Sequence, residues 1–231
     1  MITFSGLSQD YSQKTIYSWY DKQSGIENSI LFRGIEYVEK DRMINEKHKF
    51  FKTQLFQNGS LTYDGQTFYG VPLKYNIFND LLLVNLQQGS KNLIFQLIRN
   101  KVDSFTIDSH KFKYLNDSNL SEIEGFYEVI NDEEEFKIYK KYLQNSRELR
   151  DENVAYIEFS MEDSIYIYQL GTDFYKLGNR NDLISKFPQL KKEIRNFYKQ
   201  NKLILKDSPE VFMSNLAREM NILISSLSNK V

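Results

Sequence analysis

The chain contains two histidines, His48 and His110. Neither sits in a spacing such as His-x-x-x-His that would turn two ring nitrogens toward one metal ion. Each reads as a surface or strand histidine. The glycines come nearest to a phosphate cradle at Gly65–Gly70 and Gly171–Gly178. The first lacks the following Lys-Ser/Thr of a phosphate-binding loop and the second lacks the third glycine of a dinucleotide turn. No Gly-x-Ser-x-Gly elbow is present, so serine hydrolase chemistry has no support. The run Asp132-Glu133-Glu134-Glu135 gathers the carboxylates a hard cation prefers. It lacks the alternating Asp/Asn ligands and central glycine of a calcium loop, and it lies between two strand patterns, where a solvated hairpin tip is the simpler reading. The remaining carboxylates are scattered and nominate no acid–base pair. With no cysteine, thiolate catalysis, disulfides, iron–sulfur clusters and cysteine zinc sites are excluded. The sequence therefore nominates no catalytic, cofactor-binding or metal-binding residue, and the expectation is a protein that is not an enzyme and carries no cofactor.

The elements around these residues follow from composition and pattern. At 231 residues the chain is long enough to bury a sizeable core without covalent staples. Hydrophobic residues make up 41% and charged residues 26%, the balance of an ordinary globular domain and not of a disordered or membrane-spanning chain. The formal net charge of -1 removes the electrostatic drive of a general nucleic-acid binder. Sixteen Tyr and 17 Phe stand against two alanines, Ala155 and Ala217. A β-rich fold explains part of that aromatic weight, and an AT-rich genome explains the shortage of Ala.

Between Phe50 and Leu115 apolar and polar residues alternate through short runs that end at Asn58-Gly59, Asp64-Gly65, Asn79-Asp80, Gly89-Ser90 and Asp108-Ser109, which predicts a β-meander. Strands are expected at Ser29–Tyr37, Phe51–Gln57, Ser60–Tyr63, Thr67–Tyr75, Leu81–Leu86, Leu93–Ile98, Val102–Ile107 and Lys111–Leu115. Within Thr67–Tyr75, Pro72 cannot donate to a ladder, so that strand is expected to be an edge or bulged. Asn116 to Ser121 is a polar break and the candidate seam between two sub-sheets. Strands resume at Gly125–Ile130, Phe136–Tyr142, Val154–Phe159, Ser164–Leu170 and Phe174–Leu177. From Asp182 to Asn201, Leu183, Phe187, Leu190, Ile194 and Phe197 keep helical spacing, with Pro188 opening a second helix. Its basic residues, Lys191, Lys192, Arg195, Lys199 and Lys202, fall mainly on the polar side. A last helix starts from Ser208-Pro209-Glu210 and lines Phe212, Leu216, Met220, Leu223 and Leu227 on one face, which should pack on the sheet.

Met1 to Gln9 reads either as the remnant of a signal peptide whose basic start lies before the chain given, or as an ordinary flexible N-terminus. Residues 10–178 form the antiparallel β domain in this reading, with residues 10–25 an extended lead-in or a short helix, and residues 179–231 form the helical segment. No segment approaches the roughly eighteen apolar residues of a transmembrane helix.

Three stretches carry a resemblance: Glu46-Lys47-His48-Lys49-Phe50-Phe51; Gly59 to Gln66 together with Val71 to Asp80; and Val102 to Phe112. With Gly125-Phe126-Tyr127-Glu128, Phe136 to Lys141 and the two closing helices, they resemble a group of uncharacterised secreted proteins of Bacteroidota, over roughly residues 26–225. The resemblance implies a location in the periplasm or at the outer-membrane periphery and favours the signal-remnant reading. It implies no activity and no site residues.

These observations lead to an α+β class, mainly antiparallel β, with meandering curved sheets and two to three C-terminal helices packed on them. The expected role is an accessory or structural protein that binds another envelope protein, such as a subunit of an outer-membrane assembly or secretion complex, through exposed strand edges. The alternative is a carrier of a lipid or other apolar ligand in a trough lined by Phe and Tyr.

Overall fold

The computed structural model describes residues 30–44, 46–117, 123–132, 135–151 and 154–228. The readings made for residues 1–9 and 10–25 lie outside the described residues, as does most of the candidate seam at 116–121. In chain order the strands are β1 (Ile35–Glu36), β2 (Gln57–Tyr63), β3 (Gln66–Asn76), β4 (Leu81–Gln88), β5 (Lys91–Gln96), β6 (Val102–Ile107) and β7 (His110–Asn116). They continue with β8 (Glu124–Val129), β9 (Phe136–Lys141), β10 (Gln144–Asp151), β11 (Val154–Met161), β12 (Ile165–Leu170) and β13 (Asp173–Lys176). The helices α1 (Arg180–Lys186), α2 (Lys191–Gln200), α3 (Lys202–Asp207) and α4 (Pro209–Ser228) close the chain. The class is α+β, mainly antiparallel β with C-terminal helices, as the pattern predicts.

Two units divide the chain. The first takes Met1–Tyr114 with Gln144–Glu162, and the second takes Leu115–Leu143 with Asp163–Val231.

In the first unit the strands run in the order β1-β5-β4-β3-β2-β6-β7, and β10 and β11 form a separate two-stranded ribbon. Tight turns join the strands where the sequence places them: Asp64 and Gly65 take φ of 53° and 77°, and Asp108 and Ser109 take 46° and 65°. Positive φ at both central residues is the turn whose twist matches paired strands. Phe105 and Phe112 stack at 4.8 Å, and Tyr75 and Phe51 each lie 5.1 Å from Phe112. These rings are buried together with Leu61, Leu73, Leu83 and Val84, so the aromatics of this sheet face pack on one another.

Four expectations need correction here. Ser29–Tyr37 is not one strand: Ile30–Arg33 is a 3-10 turn and β1 is two residues long. Phe51–Gln57 carries bends up to Phe56, and the ladder begins only at Gln57. Asn58-Gly59 is not a turn but lies inside β2, where a Cβ on Gly59 would come within 2.0 Å of the Thr106 carbonyl oxygen of β6. That glycine answers to the close approach of a neighbouring backbone and not to a turn. The fourth concerns Gln144–Asp151, for which no strand is expected and which forms β10, paired with β11 along its whole length. Its sequence, QNSRELRD, has no apolar alternation, so the partner strand determines its conformation.

Pro72 sits in a bulged interior strand. Opposite β2 the register jumps from Gly59↔Val71 to Ser60↔Tyr69, leaving Gly70 extra at φ of 67°. On the other side the ladder with β4 runs only from Leu73 to Asn76. It stops at Pro72, which has no N–H to give.

In the second unit the order is β8-β9-β12-β13, and the helices pack on the sheet. Asn179 and Asp182 form a capping box that starts α1, with Asn181 N–H donating to Asn179 Oδ1 at 2.8 Å and Asn179 N–H to Asp182 Oδ2 at 2.8 Å. Pro188 opens a 3-10 turn, Pro188–Leu190, that leads into α2. Leu183, Phe187, Leu190 and Ile194 are buried with Phe136, Ile138 and Tyr168 of the sheet. Phe212, Leu216 and Met220 of α4 join the same core, while Leu223 and Leu227 pack at its margin. A polar side chain enters this layer. Asn221 of α4 accepts the Phe136 N–H at 2.8 Å and donates to the Phe136 and Ala217 carbonyls at 2.8 and 3.0 Å, which fixes the helix on β9.

Candidate functional site

The residues singled out by type remain apart. His48 Nδ1 accepts the Phe50 N–H at 3.2 Å, a local turn contact. His110 Nε2 lies 2.7 Å from Lys52 Nζ, which also pairs with Asp108 at 2.9 Å. Among the described residues no three His, Asp or Glu stand close enough to hold a metal ion. Of the acidic run, Asp132 lies 3.7 Å from Lys137, and Glu133 and Glu134 fall outside the described residues. Lys191, Lys192, Arg195, Lys199 and Lys202 are all exposed, as a solvated helix face should be.

Two ionisable clusters appear instead that the sequence reading does not find. In the first unit, the segment after β1 carries Tyr37, Glu39 and Asp41 to Lys49, which is only 4% exposed. The Lys49 ammonium donates to Asp41 Oδ2 at 2.5 Å and to Glu39 Oε1 at 2.8 Å, and the Tyr37 hydroxyl donates to Glu39 Oε2 at 2.8 Å. Burial alone would push the Lys49 pKa down, but the bonds to Asp41 and Glu39 overcome it and hold the ammonium above its ordinary value. Burial likewise opposes ionisation of Glu39, yet the contact with Lys49 keeps its carboxyl below the ordinary 4.5. Tyr37 is pushed up to about 12, first by burial and then by its bond to Glu39. Beside this cluster Lys74 lies 4.4 Å over the Phe50 ring and 4.3 Å over the Phe56 ring, and donates to the Gln54 carbonyl at 2.9 Å. Burial lowers its pKa.

In the second unit, Glu128 of β8 stands opposite Lys140 of β9 in the ladder, and each is 6% exposed. Lys140 forms an ion pair with Glu210 in the first turn of α4 and lies 4.0 Å over the Tyr142 ring. The Tyr142 hydroxyl donates to Glu128 Oε2 at 2.7 Å and lies 3.5 Å from Glu210 Oε1. Burial, and then the Glu128 charge, push the Tyr142 pKa far above its ordinary value, so this hydroxyl stays protonated and serves as a donor. Burial also raises Tyr166 to about 12, with the Glu210 and Glu128 charges adding to it. In both clusters every buried charge meets an opposite charge or a donor, which is what a structural network requires.

Among the described residues, β10 pairs only with β11, and β13 pairs only with β12. The ladder of β3 with β4 covers Leu73 to Asn76. The opposite edge of β11 is taken up by the chain before β2, through Ile157 N–H to Arg42 O at 2.8 Å and Phe159 N–H to Lys47 O at 3.0 Å. No protein-family model matches the chain, no curated protein matches it, and no solved structure matches it.

Proposed function

We propose that this chain is a non-enzymatic accessory protein of the cell envelope, periplasmic or at the outer-membrane periphery, which holds a partner protein by adding that partner's strand to one of its own sheet edges. The reading is carried by the edges that, among the described residues, pair with one strand only, at β10 and at β13. An open row of backbone donors and acceptors is a template for another chain. The ionisable clusters support the same reading from the other side, because their charges are committed to one another. The envelope location is supported by the resemblance of the three quoted stretches to secreted proteins of Bacteroidota. No helix among the described residues is long and apolar enough to cross a membrane.

Lysine-directed cross-linking of tagged protein in intact cells, followed by fractionation, tests this reading. The expected result is protein in the envelope fraction, linked to a second protein through Lys176, the exposed last residue of edge strand β13. Cross-links confined to the helix lysines Lys191, Lys192 and Lys199, or protein recovered in the cytosol alone, would contradict it.

A further inference from the structure

The β10 edge carries its own selection rule. This strand is eight residues long, against four in β13 and two in β1. Residues 145–148 and Arg150 are exposed, and Leu149 is half-buried. Glu148 and Arg150 project from the same face of the strand, where the Arg150 Nε donates to Glu148 Oε1 at 2.8 Å, with side chains 54% and 80% exposed. An edge of this kind can pair with the same edge of a second copy. The operation that makes two adjacent antiparallel strands identical is a two-fold axis perpendicular to the sheet, passing between them. Such an axis keeps each face of the pleat on its own side, so it must pass beside one residue and its own copy, and half-step registers are excluded.

Charge then chooses among the remaining registers. With the axis at Arg147, Glu148 or Arg150, that residue faces itself and like charges stand directly opposite, which is destabilising. With the axis at Asn145 or Ser146 no ion pair forms across the strands. With the axis at Leu149, Glu148 of one copy faces Arg150 of the other and Arg150 faces Glu148, while the two Leu149 side chains meet on the opposite face. That register alone joins opposite charges across the pair without opposing like ones. The formal net charge of -1 leaves little general repulsion between copies.

We infer that β10 is a homodimer interface, in which two copies of this chain pair antiparallel about Leu149 to make a continuous four-stranded ribbon with β11. The inference rests on the edge-recognition reading and names a second copy as the partner of this one edge, leaving β13 for an envelope protein.

Sedimentation equilibrium of the purified full chain across a dilution series tests it, with the wild type beside Glu148→Arg, Arg150→Glu and the double reversal. Each single reversal sets like charges opposite, whereas the double reversal restores the opposition with the signs exchanged. The expected result is a wild-type dimer, at least about tenfold weaker association in each single variant, and a double variant within about threefold of wild type. A wild type that stays monomeric, a dimer indifferent to the single reversals, or a double variant as weak as the singles would overturn the inference. The two proposals fail separately. A monomer that still cross-links to an envelope protein through Lys176 overturns only the dimer, and a rescued dimer found in the cytosol overturns only the envelope reading.

Discussion

Gly59, inside β2, and Gly65, in the turn that follows it, belong to one hairpin and answer to different constraints. At Gly65 an added Cβ meets nothing within 4 Å, and only its φ of 77° disfavours a side chain. At Gly59 the Cβ would enter the Thr106 carbonyl, so β2 and β6 would have to separate. Gly65→Ala should therefore cost about 1 kcal/mol and Gly59→Ala at least about 3 kcal/mol in urea denaturation, and equal losses would contradict the assignment. The Lys49 cluster makes a prediction in pH. Glu39 ionises below its ordinary 4.5 in the folded chain, so its contribution is present above that value and is lost as pH falls through the folded value. Lys49 is raised above its ordinary 10.5, so its contribution is complete below that value and is lost as pH rises past it. Thermal unfolding should show a plateau between these limits and a fall on the acid side, and Glu39→Gln should lower the plateau while flattening the acid limb. Parallel acid limbs in the two proteins would count against the cluster. None of this is legible in the sequence: Glu39, Asp41 and Lys49 look like ordinary surface residues until the fold buries the lysine, and Glu128, Lys140 and Glu210 are brought together only by the β8–β9 ladder and the docking of α4.

Elements are legible where their own residues carry the period that buries them. The α4 stripe from Phe212 to Leu227 is readable because one helix face supplies the apolar side chains that meet the sheet. Asp108-Ser109 and Asp64-Gly65 are readable because a tight turn restricts residue type. By contrast β10 is almost wholly polar, and eight register pairs with β11 hold it as a strand. A sequence window that sees only QNSRELRD contains no information about that partner. The bent chain from Phe51 to Phe56 fails the other way, since its alternating residues resemble a strand while Phe51 turns into the aromatic core. Asn221 shows how a single polar residue can set the position of an element. Asn221→Ala would leave the buried Phe136 N–H without its acceptor, whereas the Phe136 carbonyl keeps the Asn131 amide at 3.0 Å, and an unsatisfied buried group costs more than the bond it loses. Chemical denaturation should register a loss of about 3 kcal/mol, and a loss under about 1 kcal/mol would mean that α4 is held on β9 by its apolar stripe alone.

On the scale of the whole molecule, the described residues pair the buried charges of two clusters and leave β10 and β13 each with a single strand partner. Composition predicts the first property only in part, through a near-neutral total. The second is not announced by Pro72, which lies in an interior, bulged strand and ends its ladder with β4. Among the described residues the longest strand with a single partner is β10, which no sequence pattern reveals. An accessory role through strand addition makes the partner, and not a substrate, the thing to look for. Native mass spectrometry of the protein purified under mild conditions from the envelope of its own host tests that claim most directly. The account predicts a second protein bound in fixed stoichiometry, which stays attached when the chain itself is dimeric. A chain that carries no other protein, whether bare or holding only a lipid, would contradict it.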